Sequence, residues 1–152
     1  MMICGIDPGL KGGLGFLNDK CEFVSCAPMP VKAKSPIKNE VDAAALAQLL
    51  KPASVIILER QAPMPKQGIS SAFSLGDSHG VVRGVCATLG LPLHQVSPHT
   101  WKQHFNLPGK NKELARSKAI NLFPTAPLSR KKDEGIAEAL LIALWAIRTK
   151  RV

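Results

Sequence analysis

The first quarter of the chain contains three short apolar runs separated by turn-forming residues. Met1–Asp7 is apolar and ends at the Asp of an Asp-Pro-Gly sequence, Gly12–Leu17 is small and apolar, and Cys21–Cys26 alternates between apolar and polar residues. Such runs predict three antiparallel strands joined by tight turns. The next segment, Pro28–Lys38, contains three prolines and three lysines and predicts a solvent-exposed loop.

The rest of the chain alternates between helical and strand-like patterns. Ser54–Leu58 is a short β-branched run, typical of a strand buried on both faces in the middle of a sheet, and Leu91–Val96 predicts another strand. Leu107–Lys112 predicts a loop, and Asn39 is the predicted N-cap of the first helix. Helices are predicted at Val41–Leu50, Ser70–Leu89, His99–Phe105, Glu113–Phe123 and Asp133–Arg148. Apolar residues at helical spacing support the first and the last of them.

The helix predicted at Ser70–Leu89 contains a row of glycines. Gly76, Gly80 and Gly84 are spaced four apart and therefore share one face. Each glycine weakens a helix by about 1 kcal/mol, so a row of them suggests that another element approaches the backbone closely. A partner helix, within the domain or across a dimer, is one candidate.

Three antiparallel strands followed by alternating strands and helices predict an α/β domain with a mixed sheet. A chain of 152 residues supports one ordinary core, so residues 1–152 are predicted to form a single domain. The four cysteines lack metal-ligand or disulfide spacing and are expected to be free thiols in a reducing compartment. Without a signal-peptide pattern or a membrane-spanning apolar run, the protein is expected to be soluble and cytoplasmic, without membrane contact or a small-molecule cofactor.

Charge points to a polyanionic partner. Twenty Lys and Arg residues against eleven Asp and Glu residues give a formal charge of +9 and a pI near 9.7, a balance that favours nucleic acid through phosphate contacts. A surface that only confers solubility would show the same balance. Eleven of the twenty basic residues fall between Lys102 and Arg151, so the last third of the chain is predicted to face the DNA.

Several of the few acidic residues lie at the ends of apolar segments. Asp7 ends the first predicted strand, Glu59 follows the buried run Ser54–Leu58, and Glu134 and Glu138 lie four apart on one face of the last helix. Asp133 is rotated from Glu134 by about 100°.

Each acid also has a structural interpretation: Asp7 as a turn residue, Glu59 paired with a neighbouring base, Glu134 at the positive end of its helix, Glu138 as a surface acid. Together, however, carboxylates converging on one place would repel one another unless a cation neutralised them. Mg²⁺ fits such oxygen ligands. Two ions about 4 Å apart activate a water and stabilise the leaving oxygen in phosphodiester hydrolysis.

Five segments in order, covering nearly the whole chain, resemble the RuvC-type resolvases of the ribonuclease H-like superfamily, which cut four-way (Holliday) junctions. They are ICGIDPGLKGGLGF, VIILERQAPMPKQGISSAFSLGDSHGVVRGV, LPLHQVSPHTWKQHF, GKNKELARSKAINLFP and DEGIAEALLIALWA. The resemblance implies a mixed five-stranded sheet, with three antiparallel N-terminal strands and then parallel strands, flanked by helices. It also implies a magnesium-dependent endonuclease with two ions per site, for which Mn²⁺ substitutes.

The resemblance further implies that Asp7, Glu59, Glu138 and an acid one turn earlier are catalytic metal ligands. Bacterial members space the last two ligands three apart, but position 135 here is glycine. Phage-like members, with the pattern DG-x-AE-A, are a closer match and place Glu134 there, with Asp133 as a competitor.

In the family, basic residues near the scissile phosphate match Lys102 and Lys112. Bacterial members also carry an aromatic wedge after the central-strand Glu. Here Arg60–Lys66 contains no aromatic residue, so either Met64 acts as an apolar wedge or the junction is opened differently. Phe73 is assigned to the helix core. The predicted DNA-binding residues are Lys102, Lys112, Arg116, Lys118, Arg130, Lys131, Lys132 and Met64.

The predicted activity is symmetric resolution of Holliday junctions by a homodimer in contact through Ser70–Leu89. The resemblance implies that cleavage leaves 5′-phosphate and 3′-hydroxyl ends. The alternatives are a nuclease for other branched DNA, such as flaps and forks, and a junction-binding protein without catalysis.

Overall fold

The computed structural model describes residues 1–109 and 111–152, so Lys110, within the predicted loop Leu107–Lys112, lies outside the described residues. The strands are β1 (Met2–Asp7), β2 (Gly13–Asn18), β3 (Phe23–Pro28), β4 (Val31–Ser35), β5 (Lys38–Val41), β6 (Val55–Glu59) and β7 (Leu93–Val96). The helices are α1 (Ala43–Leu49), α2 (Ile69–Thr88), α3 (Pro98–His104), α4 (Lys112–Leu122) and α5 (Glu134–Arg148), and a 3₁₀ turn at Lys131–Asp133 leads into α5.

The main sheet has five strands in the order β3-β2-β1-β6-β7. β1 pairs antiparallel with β2, and β2 with β3, whereas β1 to β6 and β6 to β7 are parallel. The mixed sheet flanked by helices is therefore confirmed. The run at Ser54–Leu58 forms an interior strand, β6, with β1 at the centre of the sheet.

The segment Pro28–Lys38 is not a loop as predicted. β4 pairs with β5 as a separate two-stranded hairpin, and Val31 lies opposite Val41. The apolar and lysine residues of β4 alternate with a period of two, which outweighs the prolines because Pro28 and Pro36 lie at a strand end and in the turn.

The predicted N-cap at Asn39 was also wrong. Asn39 pairs with Ala33 in the hairpin, and α1 begins at Ala43. The cap is Asp42, whose Oδ1 accepts a hydrogen bond from the backbone N–H of Ala45 at 3.1 Å.

Helix α2 turns a different face inward from the one that the sequence suggested. Its buried residues include Val82 and Cys86, whereas Phe73 is 70% exposed, so the assignment of Phe73 to the core was wrong. The Lys34 ammonium lies 5.8 Å from the centroid of the Phe73 ring. Within the described residues, nothing lies within 4 Å of the position a Cβ would take at the three glycines of the row, Gly76, Gly80 and Gly84. There is room for a side chain at each of the three positions, so no element of the described residues packs closely on the row.

The sheet separates two apolar clusters. Ile3 and Ile57 face α3, α4 and α5, while Cys4 and Ile6 face α1 and α2. The cysteines are free thiols; Cys4 and Cys86 are buried, and Cys21 and Cys26 are half-buried. Across the described ranges, no helix combines the length and apolarity that crossing a bilayer requires.

Candidate metal centre

Two parallel neighbours, β1 and β6, end at the same edge of the sheet with an acidic residue each. Ile6 pairs with Leu58, so Asp7 and Glu59 follow side by side as the last residues of their strands. Both are buried, with exposed fractions of 5% and 6%. Carboxylates at this depth need a compensating partner.

The third acid comes from α5, which packs against the sheet almost backbone to backbone. A Cβ at Gly5 would collide with the Ala139 carbonyl, and one at Gly15 would collide with Leu140. Because these strand positions lack side chains, α5 lies close enough to bring Glu138 to the strand ends.

Asp7, Glu59 and Glu138 form the acidic triad. Each offers a carboxylate oxygen, and these atoms all lie within 4.8 Å of one another. All three side chains are buried. The structure thus brings together three of the four predicted ligands.

The protein satisfies the triad's oxygens unequally. Glu59 Oε2 accepts a hydrogen bond from Trp101 Nε1 at 2.7 Å, and Glu59 Oε1 accepts one from Gln61 Nε2 at 3.0 Å. Asp7 Oδ1 accepts from the backbone N–H of Gly9 at 3.2 Å. Glu138 Oε1 is buried and has no hydrogen-bond partner among the described residues. A buried carboxylate oxygen of this kind lacks the compensation that native proteins normally supply.

The electrostatics of the triad favour protonation or a bound cation. Burial, reinforced by the charge of Asp7, raises the pKa of Glu59 to about 7, although the Trp101 hydrogen bond and Lys102 oppose the shift. Burial and the charge of Asp7 likewise raise the pKa of Glu138. Three crowded, desolvated carboxylates bind a hard divalent cation well, because oxygen is the ligand atom that Mg²⁺ and Mn²⁺ prefer. The donor set and the unpartnered Glu138 oxygen therefore fit the predicted metal.

Glu134, the fourth predicted ligand, is the half-buried first residue of α5 and lies outside the triad. It shares the face of Glu138, but four residues of helix separate them by about 6 Å along the axis. Its charge is among those that raise the pKa of Lys112, so it acts on the same region.

Asp133, the predicted competitor, is held by Arg130. Its Oδ1 lies 2.9 Å from Arg130 Nη2, and its Oδ2 accepts the Arg130 backbone N–H at 2.9 Å. The hydrogen bond from Arg130 lowers the pKa of Asp133, although burial opposes the shift. Asp133 is thus a compensated acid, unlike Glu138.

Gly135 occupies the position three before Glu138. A Cβ there would collide with the backbone of Lys11 and Gly12. The close contact between α5 and the β1–β2 turn leaves no room for a side chain, so an acidic residue three before Glu138 does not fit this packing.

The triad lies in a cleft of about 1060 Å³ whose lining also includes Lys102, Lys112, Gln61 and Met64. The Lys102 ammonium lies 5.5 Å from the centroid of the Trp101 ring. Burial lowers the pKa of the Lys112 ammonium, but the carboxylates around it outweigh that effect and raise it. Met64 is 55% exposed. Acidic and basic side chains thus line the same cleft. Such a lining suits a phosphodiester, because the acids can hold cations and the lysines can contact the phosphate.

The other predicted DNA-binding residues lie outside this lining within the described part of the chain: Arg116, Lys118, Arg130, Lys131 and Lys132. The Arg116 guanidinium forms an ion pair with Glu113 at 2.6 Å and donates to the Leu128 carbonyl at 2.8 Å. Lys131 and Lys132 are exposed, and Lys118 is half-buried.

The sequence interpretation missed Trp101 and Gln61 as partners of Glu59. Trp101 is 42 residues from Glu59 in the sequence, and no local pattern reports a contact at that separation. The available signal was that a buried indole N–H needs an acceptor.

No protein-family model matches the sequence, and no curated protein matches it. The structure is similar to RuvC from Thermus thermophilus in complex with a Holliday junction substrate, at 21% identity and a TM-score of 0.73 over 99% of this chain and 96% of that one. A T. thermophilus RuvC structure is 20% identical, with a TM-score of 0.62 and coverage of 99% and 96%. The yeast mitochondrial Holliday junction resolvase is 18% identical, with a TM-score of 0.57 over 98% of this chain and 78% of that one. The similarity establishes the ribonuclease H-like fold of the RuvC resolvases, as the sequence predicted.

Proposed function

We propose that the chain is a divalent-metal-dependent endonuclease that resolves four-way DNA junctions. The acidic triad is the main support for this proposal. Its three buried carboxylates offer oxygens within 4.8 Å of one another, and Glu138 has an oxygen without a partner among the described residues. The same cleft is also lined by lysines. The shared fold with RuvC from T. thermophilus, which was determined with a Holliday junction, supports the choice of substrate.

In this proposal, Asp7, Glu59 and Glu138 hold Mg²⁺, with Mn²⁺ as a substitute, and Glu134 completes a site for two ions. When bound, the ions supply the Lewis acidity that hydrolyses a phosphodiester to 5′-phosphate and 3′-hydroxyl ends. Asp133 is less suited to be a ligand because Arg130 already occupies both of its oxygens.

The remaining roles follow from position. Lys102 and Lys112 line the cleft and contact the phosphates on either side of the cleaved bond. Met64, exposed at the cleft, lies against bases at the branch point. The other basic residues of the last third of the chain contact the duplex arms: Arg116, Lys118, Arg130, Lys131 and Lys132.

A four-way junction has two equivalent strands to cut, so the active form is proposed to be a two-fold dimer. The open glycine row of α2 offers a close-contact face for the second copy.

A non-catalytic junction-binding protein would use the lysines and have no use for the triad. Buried, crowded carboxylates raise the free energy of the fold and oppose binding of phosphates, so the binder is the weaker alternative. A nuclease for flaps or forks would use the same triad, and substrate choice separates it from a resolvase.

The test is cleavage of an end-labelled synthetic four-way junction beside linear duplex and flap DNA, in Mg²⁺ and in EDTA. The wild type is expected to make paired nicks in the junction that DNA ligase reseals, and Glu59→Gln is expected to make none. Preferred cutting of the flap would favour the branched-DNA nuclease. Tight junction binding without cleavage in Mg²⁺ or Mn²⁺ would favour the binder.

A further inference from the structure

Trp101 reaches the acidic triad from the hydrophobic core. Its side chain is fully buried, and its Nε1–H donates to Glu59 Oε2 at 2.7 Å. The placement follows from the fold, because Val96 is the β7 partner of Glu59 and α3 begins two residues later with Ser97 as its N-cap. Trp101, in the first turn of α3, therefore lies over the end of β6.

The two oxygens of Glu59 are held by very different donors. The donor to Oε2 is the fully buried indole of Trp101. The donor to Oε1 is the amide of Gln61, which is half-buried and lines the cleft. Gln61 lies in the irregular segment after β6, so its side chain is the more easily displaced of the two.

We propose that Trp101 is a positioning residue of the metal centre: its indole N–H occupies Oε2 of Glu59 and keeps Oε1 available on the cleft side, where a divalent cation replaces the Gln61 amide. This inference rests on the proposed function, since it requires the triad to bind metal. Trp101 also supports Lys102, whose ammonium lies 5.5 Å from the centroid of the indole. One buried side chain thus orients a ligand carboxylate and places a cleft lysine.

Removal of one donor is expected to weaken metal binding, whereas removal of the other is not. Trp101→Phe removes the N–H but keeps an aromatic ring for Lys102, and is expected to weaken Mg²⁺ binding by about tenfold or more, as loss of a partner to a ligand typically does. Gln61→Leu removes the competing donor and is expected to bind Mg²⁺ at least as tightly as the wild type. Isothermal titration calorimetry with Mg²⁺ alone, without DNA, measures both. Trp145→Phe is the matched control, because the chain has two tryptophans and Trp145 lies on α5 outside the cleft lining.

Tryptophan fluorescence distinguishes a contact with the metal centre from a purely structural role, because only the former makes the emission of Trp101 respond to Mg²⁺. Trp145→Phe leaves Trp101 as the sole tryptophan, and its emission is expected to change as Mg²⁺ saturates the site. Trp101→Phe leaves Trp145, whose emission is expected to stay constant. Trp101→His, which restores a ring N–H, is expected to recover part of the lost affinity even where the smaller ring lowers the Tm.

Three results would each overturn the proposal for Trp101. Trp101→Phe could bind Mg²⁺ as tightly as the wild type, the emission of Trp101 could stay constant on addition of Mg²⁺, or Gln61→Leu could lose as much affinity for Mg²⁺ as Trp101→Phe is expected to lose. In those cases the wild type still binds metal and the proposed function stands. Absence of Mg²⁺ and Mn²⁺ binding by the wild type would instead overturn the metal centre and this inference together.

Discussion

Two buried acids near the start of α5 are built in opposite ways. Asp133 is 2% exposed and Glu138 is 3% exposed, so burial does not distinguish them. Asp133 receives the guanidinium and the backbone N–H of Arg130, whereas Glu138 Oε1 has no hydrogen-bond partner among the described residues. Their pKa values accordingly move apart, lowered for Asp133 and raised for Glu138.

The contrast distinguishes an acid that the chain itself compensates from one that keeps an unpartnered oxygen. Arg130 compensates Asp133 within the chain, and the carboxylate in turn fixes the turn that begins α5. Glu138 lies beside two other buried acids, and in the proposed metal centre a bound cation supplies the compensation that its Oε1 lacks. The two acids lie within six positions of each other, so the sequence alone does not reveal this difference. The hydrogen-bond partners of the two side chains do reveal it.

The largest expected effect is on cleavage. Glu138→Gln is expected to lower junction cleavage by roughly a thousandfold, since bound metal supplies several kcal/mol of transition-state stabilisation and each 1.4 kcal/mol is about a factor of ten. Single-turnover assays in Mg²⁺ measure the loss. Binding of the junction, followed by gel shift, is expected to persist. Cleavage at the wild-type rate would remove Glu138 from the site.

The next effect is on stability without metal. The pKa of Glu59 is raised from 4.5 to about 7. The protonated carboxyl group therefore stabilises the fold fully below pH 4.5, and this contribution is lost as the pH rises toward 7. Glu59→Gln mimics the protonated form. In EDTA at pH 8, the free energy of unfolding of Glu59→Gln is expected to be about 2 kcal/mol higher than that of the wild type, which corresponds to roughly 5 °C in Tm. Near pH 4.5 the two proteins are expected to differ little.

Calorimetric melting from pH 4.5 to 8 tests this, and Mg²⁺ at pH 8 is expected to raise the Tm of the wild type more than that of Glu59→Gln. A wild type that gains stability relative to Glu59→Gln as pH rises would contradict the electrostatic account of the triad.

Asp133→Asn should show the reverse pattern with a smaller magnitude. The pKa of Asp133 is lowered by Arg130, so its contribution is present at neutral pH and lost as pH falls. The variant is expected to melt a few degrees below the wild type at pH 7, the gap closing in acid, while cleavage stays within about threefold. A cleavage defect as deep as that of Glu138→Gln would make Asp133 a ligand after all.

The smallest effect concerns a lysine of the cleft. Lys112→Gln, measured by junction binding in the Glu59→Gln background, is expected to weaken affinity several-fold and to reduce the salt dependence by about one phosphate contact. Lys51→Gln is the control, because Lys51 precedes β6 and so lies toward the sheet edge opposite Glu59. Equal effects of the two substitutions would mean that the cleft is not where the DNA binds.

Local patterns predicted most of the fold. The apolar run of β6 and the apolar stripe of α5 can each be recognised within a few residues. The acids at the ends of β1 and β6 could be expected to meet because parallel strands end at one edge of the sheet. The hairpin β4–β5 is hidden in the sequence because prolines and lysines, which are typical of loops, flank and interrupt the alternation in Val31–Ser35. Phe73 was misassigned because an apolar residue in a helix does not by itself say which face is buried.

The site was predicted less completely for physical reasons. Spacing placed Glu134 and Glu138 on one face, but depth along the helix axis decides which of them reaches the strand ends. The close packing of α5 on Gly5 and Gly15, and the bond from Trp101 to Glu59, are contacts between distant parts of the chain.

The most direct test of the proposed metal centre is anomalous diffraction from crystals of the protein grown with Mn²⁺. A manganese peak is expected among Asp7, Glu59 and Glu138, in contact with Glu138 Oε1, while Asp133 stays paired with Arg130. A peak at Asp133, or a triad that remains free of metal at saturating Mn²⁺, would contradict it.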